Sequence, residues 1–178
     1  MLLAIDIAGM TAWHRAAYNG KLNILLQVWE WAEGKLTKEE INNKLLLAAD
    51  KEGWTTLHEA ICGGNLENFA GNMGVSRRET NKREVNNKLL LATDNAGLSV
   101  WHWASYEGKM YILEQVWEWA KQKLTTEEIN NKLLLAIDNA GRTAWHRAAY
   151  NGKLNVLLQV WEWAEEELTR EEINNKLL

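Results

Sequence analysis

Apolar side chains recur along this chain at helical spacing, in stretches separated by glycine. The clearest stretch predicts an amphipathic helix over 154–166. Four apolar side chains, at spacings of three or four residues, are expected to lie in a stripe along one side of this helix: Leu154, Leu157, Leu158 and Trp161. Trp163 follows two positions later, so its indole is expected to extend this stripe sideways or to lie half exposed.

Polar residues and glycines on either side of that helix predict the other elements of the same unit. The DNAG stretch at 138–141 predicts a tight turn, because Asp and Asn bond their own backbone and Gly accepts positive φ. Thr143 is placed to cap a first helix that ends at Gly152. A third helix is predicted from LTREEI at 168–173, a capping box with a hydrophobic staple. The LLLA stretch before each turn is expected to be extended.

These elements are repeated four times. Aspartate recurs at 6, 50, 94 and 138, and histidine at 14, 58, 102 and 146, always 44 residues apart. We define repeats one to four as residues 6–49, 50–93, 94–137 and 138–178. Stretches 6–46 and 138–178 differ at only six of 41 positions. Residues that recur in every repeat usually serve packing, which favours a structural role for the four histidines.

The motif within the unit resembles the ankyrin repeat. GRTAWHRAAYNG at 141–152 and GWTTLHEAICGG at 53–64 carry its spaced Gly, Thr, His, Ala and Gly positions. An ankyrin unit has about 33 residues, and the additional residues here fall in the third helix. The resemblance implies an all-α, ankyrin-like repeat solenoid in one domain, 1–178, each unit having a β-turn finger and three helices. It also implies that each histidine bonds the threonine of its motif and neighbouring backbone.

The resemblance further implies a protein-binding scaffold, since ankyrin repeats bind through turn tips and first helices. The positions that correspond here are Met10, Tyr18, Trp54, Leu98, Trp103, Tyr106, Arg142 and Tyr150. An exposed indole at Trp103 would be an anchor for a partner. Two alternatives stay open: a structural segment of a longer repeat protein, or the repeat part of an enzyme whose catalytic domain lies elsewhere.

No arrangement of chemistry-bearing residues in this sequence predicts a catalytic, cofactor or metal site. No two histidines share a segment, and no Gly-rich phosphate loop is present. The paired glutamates lie at helix starts, where capping and the helix dipole explain them. The tryptophan stripe, from 11 Trp residues, is interpreted as core; a ligand cage is the alternative.

Charge and composition narrow the classes of partner. The formal net charge of −4 gives no attraction to nucleic acid or to an anionic membrane. No apolar run approaches the roughly 20 residues needed to span a bilayer. Cys62 is the single cysteine, and the N-terminus has no basic region of a signal peptide. These features predict an intracellular, cytoplasmic protein.

Repeat two departs from the pattern. Gly71 and Gly74 interrupt its second helix, which is predicted to end near Met73. A new capping box, SRRE at 76–79, predicts that the third helix begins near Arg77. A basic cluster follows and is interpreted as a solvated helix face or as a docking point for an acidic partner: Arg77, Arg78, Lys82, Arg83 and Lys88.

The outer repeats predict self-association. The sequence begins and stops within LLLA, so we expect a piece of a longer array, and neither outer repeat carries the polar face of a capping repeat. The last repeat is expected to present an apolar face to a neighbour: Trp161, Trp163, Ile173 and Leu177. Two unlike apolar faces predict a head-to-tail contact between copies.

Overall fold

A computed structural model of the chain describes residues 2–65 and 88–177. The described residues are mostly helical, so the all-α class is confirmed. Within these two ranges the β-structure consists of single-residue bridges, among them the antiparallel bridges Ile5 to Thr11 and Ala49 to Thr55, and no strand is formed. The predicted end of the second helix near Met73 and start of the third near Arg77 lie outside the described residues.

The helices of the first half follow the predicted order. They are α1 (Ala12–Tyr18), α2 (Leu22–Glu33), α3 (Lys38–Ile41), which continues as a π-helical turn over Asn42–Leu46, and α4 (Thr56–Cys62). A helical segment at 88–91 precedes the third turn.

The helices of the second half repeat this order twice. They are α5 (Val100–Glu107), α6 (Met110–Lys123), α7 (Thr126–Ile129) with a π-helical turn over Asn130–Leu134, α8 (Ala144–Tyr150), α9 (Leu154–Glu167) and α10 (Arg170–Lys176). The chain divides into two compact units, 1–95 and 96–178. In the first unit α1 packs against α4, and in the second α5 packs against α8.

The tight turn predicted at 138–141 is formed. Asp138 Oδ1 accepts hydrogen bonds from the backbone amides of Ala140 (2.7 Å) and Arg142 (3.1 Å), and Asp6 makes the equivalent pair of bonds. Gly97 and Gly141 have φ of 78° and 72°, which a residue with a Cβ rarely adopts. The aspartate thus closes each turn locally, as its sequence predicts.

Successive turns are tied together by their backbones. The amide of Lys51 donates to the Ala8 carbonyl at 3.0 Å, and the amide of Asn95 donates to the Glu52 carbonyl at 2.9 Å. In the second unit the amide of Asn139 donates to the Ala96 carbonyl at 3.0 Å. We call this series the turn ladder. A Cβ on Gly97 would lie 2.8 Å from the Asn139 nitrogen, so this contact requires glycine.

The first helices are capped as predicted, and the capping box includes the histidine. The Thr143 hydroxyl accepts from the His146 amide at 3.4 Å and lies 2.8 Å from His146 Nδ1. Thr11 and His14 form the same box. Third helices begin in the predicted capping boxes, where the Glu172 amide donates to Thr169 Oγ1 at 3.2 Å.

The prediction that LLLA is extended is wrong for its first leucines, although the third helix does end within NNKLLLA. The helix continues through Leu46 as a π-turn, in which the Leu47 amide donates to the Asn42 carbonyl at 2.8 Å. This turn places Leu45 and Leu46 side by side in the core, and both are fully buried. An extended strand would point successive side chains to opposite faces, so only one of the two leucines would be buried.

The apolar side predicted for the helix over 154–166 is not the side that is buried. Leu154 is 64% exposed and Leu158 is 54% exposed. The buried side of α9 is formed instead by Val156, Val160, Trp163 and Ala164. These residues follow one another at helical spacing too, and the contact with repeat three decides which side faces inward.

Candidate functional site

The predicted partner-contact residues lie at three levels of exposure. Tyr18 and Tyr150 are exposed, at 46% and 71%. Leu98, also predicted as a contact residue, is only 6% exposed, so this aliphatic side chain is part of the core and little of it is accessible to a partner. The other predicted contact residues are half-buried: Met10, Trp54, Trp103, Tyr106 and Arg142. The indole of Trp103 therefore offers only part of its surface.

The structure brings two pairs of these residues together. The Arg142 guanidinium lies over the Tyr150 ring, 5.2 Å from its centroid. The rings of Trp103 and Tyr106 meet edge to face, with centroids 5.5 Å apart. Each pair joins neighbouring surface side chains into one amphipathic patch, a composition favoured at protein interfaces.

One exposed residue of the turns was missed by the sequence analysis. Ile7 is 92% exposed at the tip of the first turn. The corresponding positions in repeats two to four are Lys51, Asn95 and Asn139. A single apolar residue at a polar position of the repeat was the signal that could have identified it.

The contact between repeats three and four defines two faces of a repeat. The indole of Trp163 in repeat four stacks on that of Trp117 in repeat three, with centroids 4.7 Å apart and planes at 14°. It also lies 5.6 Å from the Trp101 ring. We call the side of a repeat that carries Trp163 and Val156 its upstream face. The downstream face of repeat three, which receives it, consists of Trp101, Ser105, Leu113 and Trp117, all buried.

Polar bonds at the edge of this contact supplement the ring stacking. Lys121 Nζ lies 2.6 Å from Glu167 Oε1, forming an ion pair between repeats three and four. The Asn130 side-chain amide donates to the Glu167 carbonyl at 2.9 Å. These bonds, together with the Trp163 stack, fix the register of one repeat on the other.

The downstream face of repeat four is open. Ala149 and Tyr150 are exposed, and Trp145, Leu157 and Trp161 are half-buried. The corresponding residues of repeat three are all buried except Tyr106, which is half-buried. The difference shows how much of the downstream face of repeat three is covered by repeat four.

The upstream face of repeat one is open as well. Ile24 is 46% exposed and Trp31 is 52% exposed. Their counterparts on the upstream face of repeat four, Val156 and Trp163, are 0% and 8% exposed. A large apolar surface that is exposed on one repeat and covered on a near-identical one is typical of an interaction site.

Each histidine lies within hydrogen-bond distance of the Thr or Ser hydroxyl of its own motif, as predicted, and His14 and His102 use both ring nitrogens. His14 Nδ1 lies 2.8 Å from Thr11 Oγ1, and Nε2 lies 3.0 Å from the Ala48 carbonyl. Because a carbonyl only accepts, Nε2 carries the proton and Nδ1 accepts from Thr11. Burial lowers the pKa of His14 and of His102, and both are therefore neutral near pH 7.

The turn aspartates of repeats one and four are paired with arginine. Arg15 Nη2 lies 2.6 Å from Asp6 Oδ2, and both side chains are substantially exposed. The Asp138–Arg147 pair is buried, at 0% and 14% side-chain exposure. Burial opposes the ionisation of Asp138, but hydrogen bonds from the Arg142 amide and the Arg147 side chain hold its pKa below the usual value.

Repeat two has a glutamate where repeats one and four have this arginine. Glu59 is 1% exposed, and its Oε1 has no hydrogen-bond partner. Burial, aided by the nearby Asp50 and Asp6 carboxylates, raises the pKa of Glu59 to about 7, although Arg15 acts in the opposite direction. Sequence reasoning missed this residue, although a charge reversal at a repeated position was visible.

Among residues 2–65 and 88–177, no group of three or more His, Cys, Asp or Glu side chains is arranged to hold a metal ion. Within the same described ranges, every helix is too short or too polar to cross a bilayer. Comparisons of the chain with the models of known protein families and with curated protein sequences find no match.

Proposed function

We propose that this protein is a non-catalytic scaffold that binds a protein partner through its turn tips and first helices. In this proposal the four repeats form an ankyrin-like solenoid, and the chain works in the cytoplasm without a cofactor. The turn ladder is the observation that carries the proposal. It holds consecutive turns at fixed spacing by backbone bonds, which leaves side chains such as Ile7 and Tyr150 available to a partner.

Site-specific photo-cross-linking tests this function. A photoreactive residue at Tyr18 or Tyr150 is expected to capture the same partner from cell extract, and capture is expected to fall when Arg142 is changed to alanine. A photoreactive residue at Glu127, exposed on the third helix, is the matched control. Equal capture from Glu127, or capture that does not depend on Arg142, would contradict binding at the turns and first helices.

A second candidate function is head-to-tail self-association, which would make the chain a structural segment of an assembly. It is favoured by the two open faces, the downstream face of repeat four and the upstream face of repeat one. Because the faces are different, their contact is heterologous and continues from copy to copy unless it closes into a ring. Sedimentation at rising concentration tests it, since a self-associating chain increases in mean mass.

A further inference from the structure

The contact between repeats three and four shows how a downstream face and an upstream face fit together. We propose that the downstream face of repeat four binds the upstream face of repeat one in a second copy of this chain, with Trp31 of that copy lying where Trp163 lies on repeat three. This inference rests on the proposed self-association and names its contact. The occupant is identified by the match between the two faces.

The apolar residues of the repeat three–four contact have apolar counterparts on both open faces. On the upstream face, repeat one has Trp31 and Ile24 where repeat four has Trp163 and Val156. On the downstream face, repeat four has Trp145, Ala149, Leu157 and Trp161, which correspond in order to Trp101, Ser105, Leu113 and Trp117 of repeat three. The indole of Trp31 would therefore stack on Trp161 and lie against Trp145, as Trp163 does on its own partners.

The ion pair at the edge of the contact is kept with its charges exchanged. Lys121 of repeat three pairs with Glu167 of repeat four. In repeat four the position that corresponds to Lys121 is occupied by Glu165. In repeat one the position that corresponds to Glu167 is occupied by Lys35. Both substituted residues are exposed, so they are accessible to one another in two copies. A lysine–glutamate pair becomes a glutamate–lysine pair, and the attraction survives the exchange.

Charge reversal tests the contact on the intact chain. Lys35→Glu places two carboxylates at each junction, and Glu165→Lys places two ammonium groups there, so each variant alone is expected to weaken self-association about three- to tenfold. A chain that carries both substitutions again places opposite charges at every junction and is expected to restore the wild-type affinity. Trp31→Ala removes the central aromatic residue and is expected to weaken association about tenfold or more.

The matched control is Glu162→Lys, because the corresponding Glu118 stays exposed beside the repeat three–four contact. Analytical ultracentrifugation gives the affinities, and circular dichroism checks that each variant keeps its helix content. Association that is insensitive to Trp31, or a double variant that stays as weak as the single ones, overturns this contact and leaves self-association standing. A wild-type chain that stays monomeric at high micromolar concentration overturns both, while cross-linking at Tyr18, which lies outside the proposed contact, tests the scaffold function separately.

Discussion

Substitution of Glu59 by glutamine is expected to reduce the loss of stability that the protein suffers as pH rises from 4 to 8. The side chain is 1% exposed and Oε1 is unpaired, so its ionised form is poorly solvated in the folded state. Arg15, whose positive charge lowers the pKa of Glu59, is already engaged by Asp6. Glutamine has nearly the same shape and cannot ionise.

The pKa of Glu59 sets the size of the effect. A shift from the ordinary 4.5 to about 7 corresponds to about 3 kcal/mol, at about 1.4 kcal/mol for each tenfold change in acidity. Below pH 4.5 the carboxyl is protonated in both folded and unfolded chains and costs nothing. Between pH 4.5 and 7 only the unfolded chain ionises, so stability falls with pH, and above pH 7 the full cost is present.

The comparison of pH values isolates ionisation from packing. The amide places N–H donors in the same buried site, which costs about 1 kcal/mol at every pH. We therefore expect the difference in unfolding free energy between the glutamine variant and the wild type to rise by about 3 kcal/mol between pH 4 and pH 8. His14 and His102, whose pKa values are lowered, lose stability as pH falls below 6.5, but they do so equally in both proteins.

Urea unfolding at several pH values measures this difference, and the carbon chemical shift of the Glu59 carboxyl follows its titration directly. Glu52→Gln, an exposed glutamate of the same repeat, is the matched control and should leave the pH profile unchanged. Parallel pH profiles for the wild type and the Glu59 variant would refute the reasoning. A carboxyl that titrates near 4.5 would do the same.

Two further predictions compare matched positions of the repeats. Arg147→Ala is expected to cost about 3 kcal/mol, because it leaves a buried aspartate without its ion-pair partner; Arg15→Ala, at the exposed pair, should cost much less, and equal costs in urea unfolding would contradict this difference. Gly97→Ala should destabilise the protein by about 1–2 kcal/mol more than Gly141→Ala, because both variants replace a positive-φ glycine but only a Cβ at position 97 lies 2.8 Å from the Asn139 nitrogen. Thermal unfolding of both variants measures this difference, and an equal shift in melting temperature would count against the turn ladder.

The parts of the fold that could be predicted from the sequence are those made by neighbouring residues. The Asp138 turn and the Thr143–His146 capping box depend on side chains within four positions of one another, and both are confirmed. The buried side of α9 could not be predicted, because apolar residues lie on more than one side of that helix. Periodicity identifies the helix, but the contact of Trp163 with repeat three decides which side is buried.

The candidate site was less predictable for the same reason. Exposure of Tyr18 and Tyr150 followed from the repeat motif, whereas burial of Leu98 depends on residues outside the motif. Exposure of Trp31 differs from that of Trp163, although both occupy one repeat position. The local sequence is the same in the two cases, so only the presence of a neighbouring repeat distinguishes a core residue from a surface residue.

The paired faces of the repeat also have a consequence for how such a gene can grow. Each 44-residue unit carries both kinds of face: an upstream face like the one that carries Trp163, and a downstream face like the one that receives it. An in-frame duplication of that unit therefore supplies both halves of a new junction in a single mutational event. Chains with more or fewer units then fold without compensating changes elsewhere, and near-identical stretches such as 6–46 and 138–178 are what such a duplication produces.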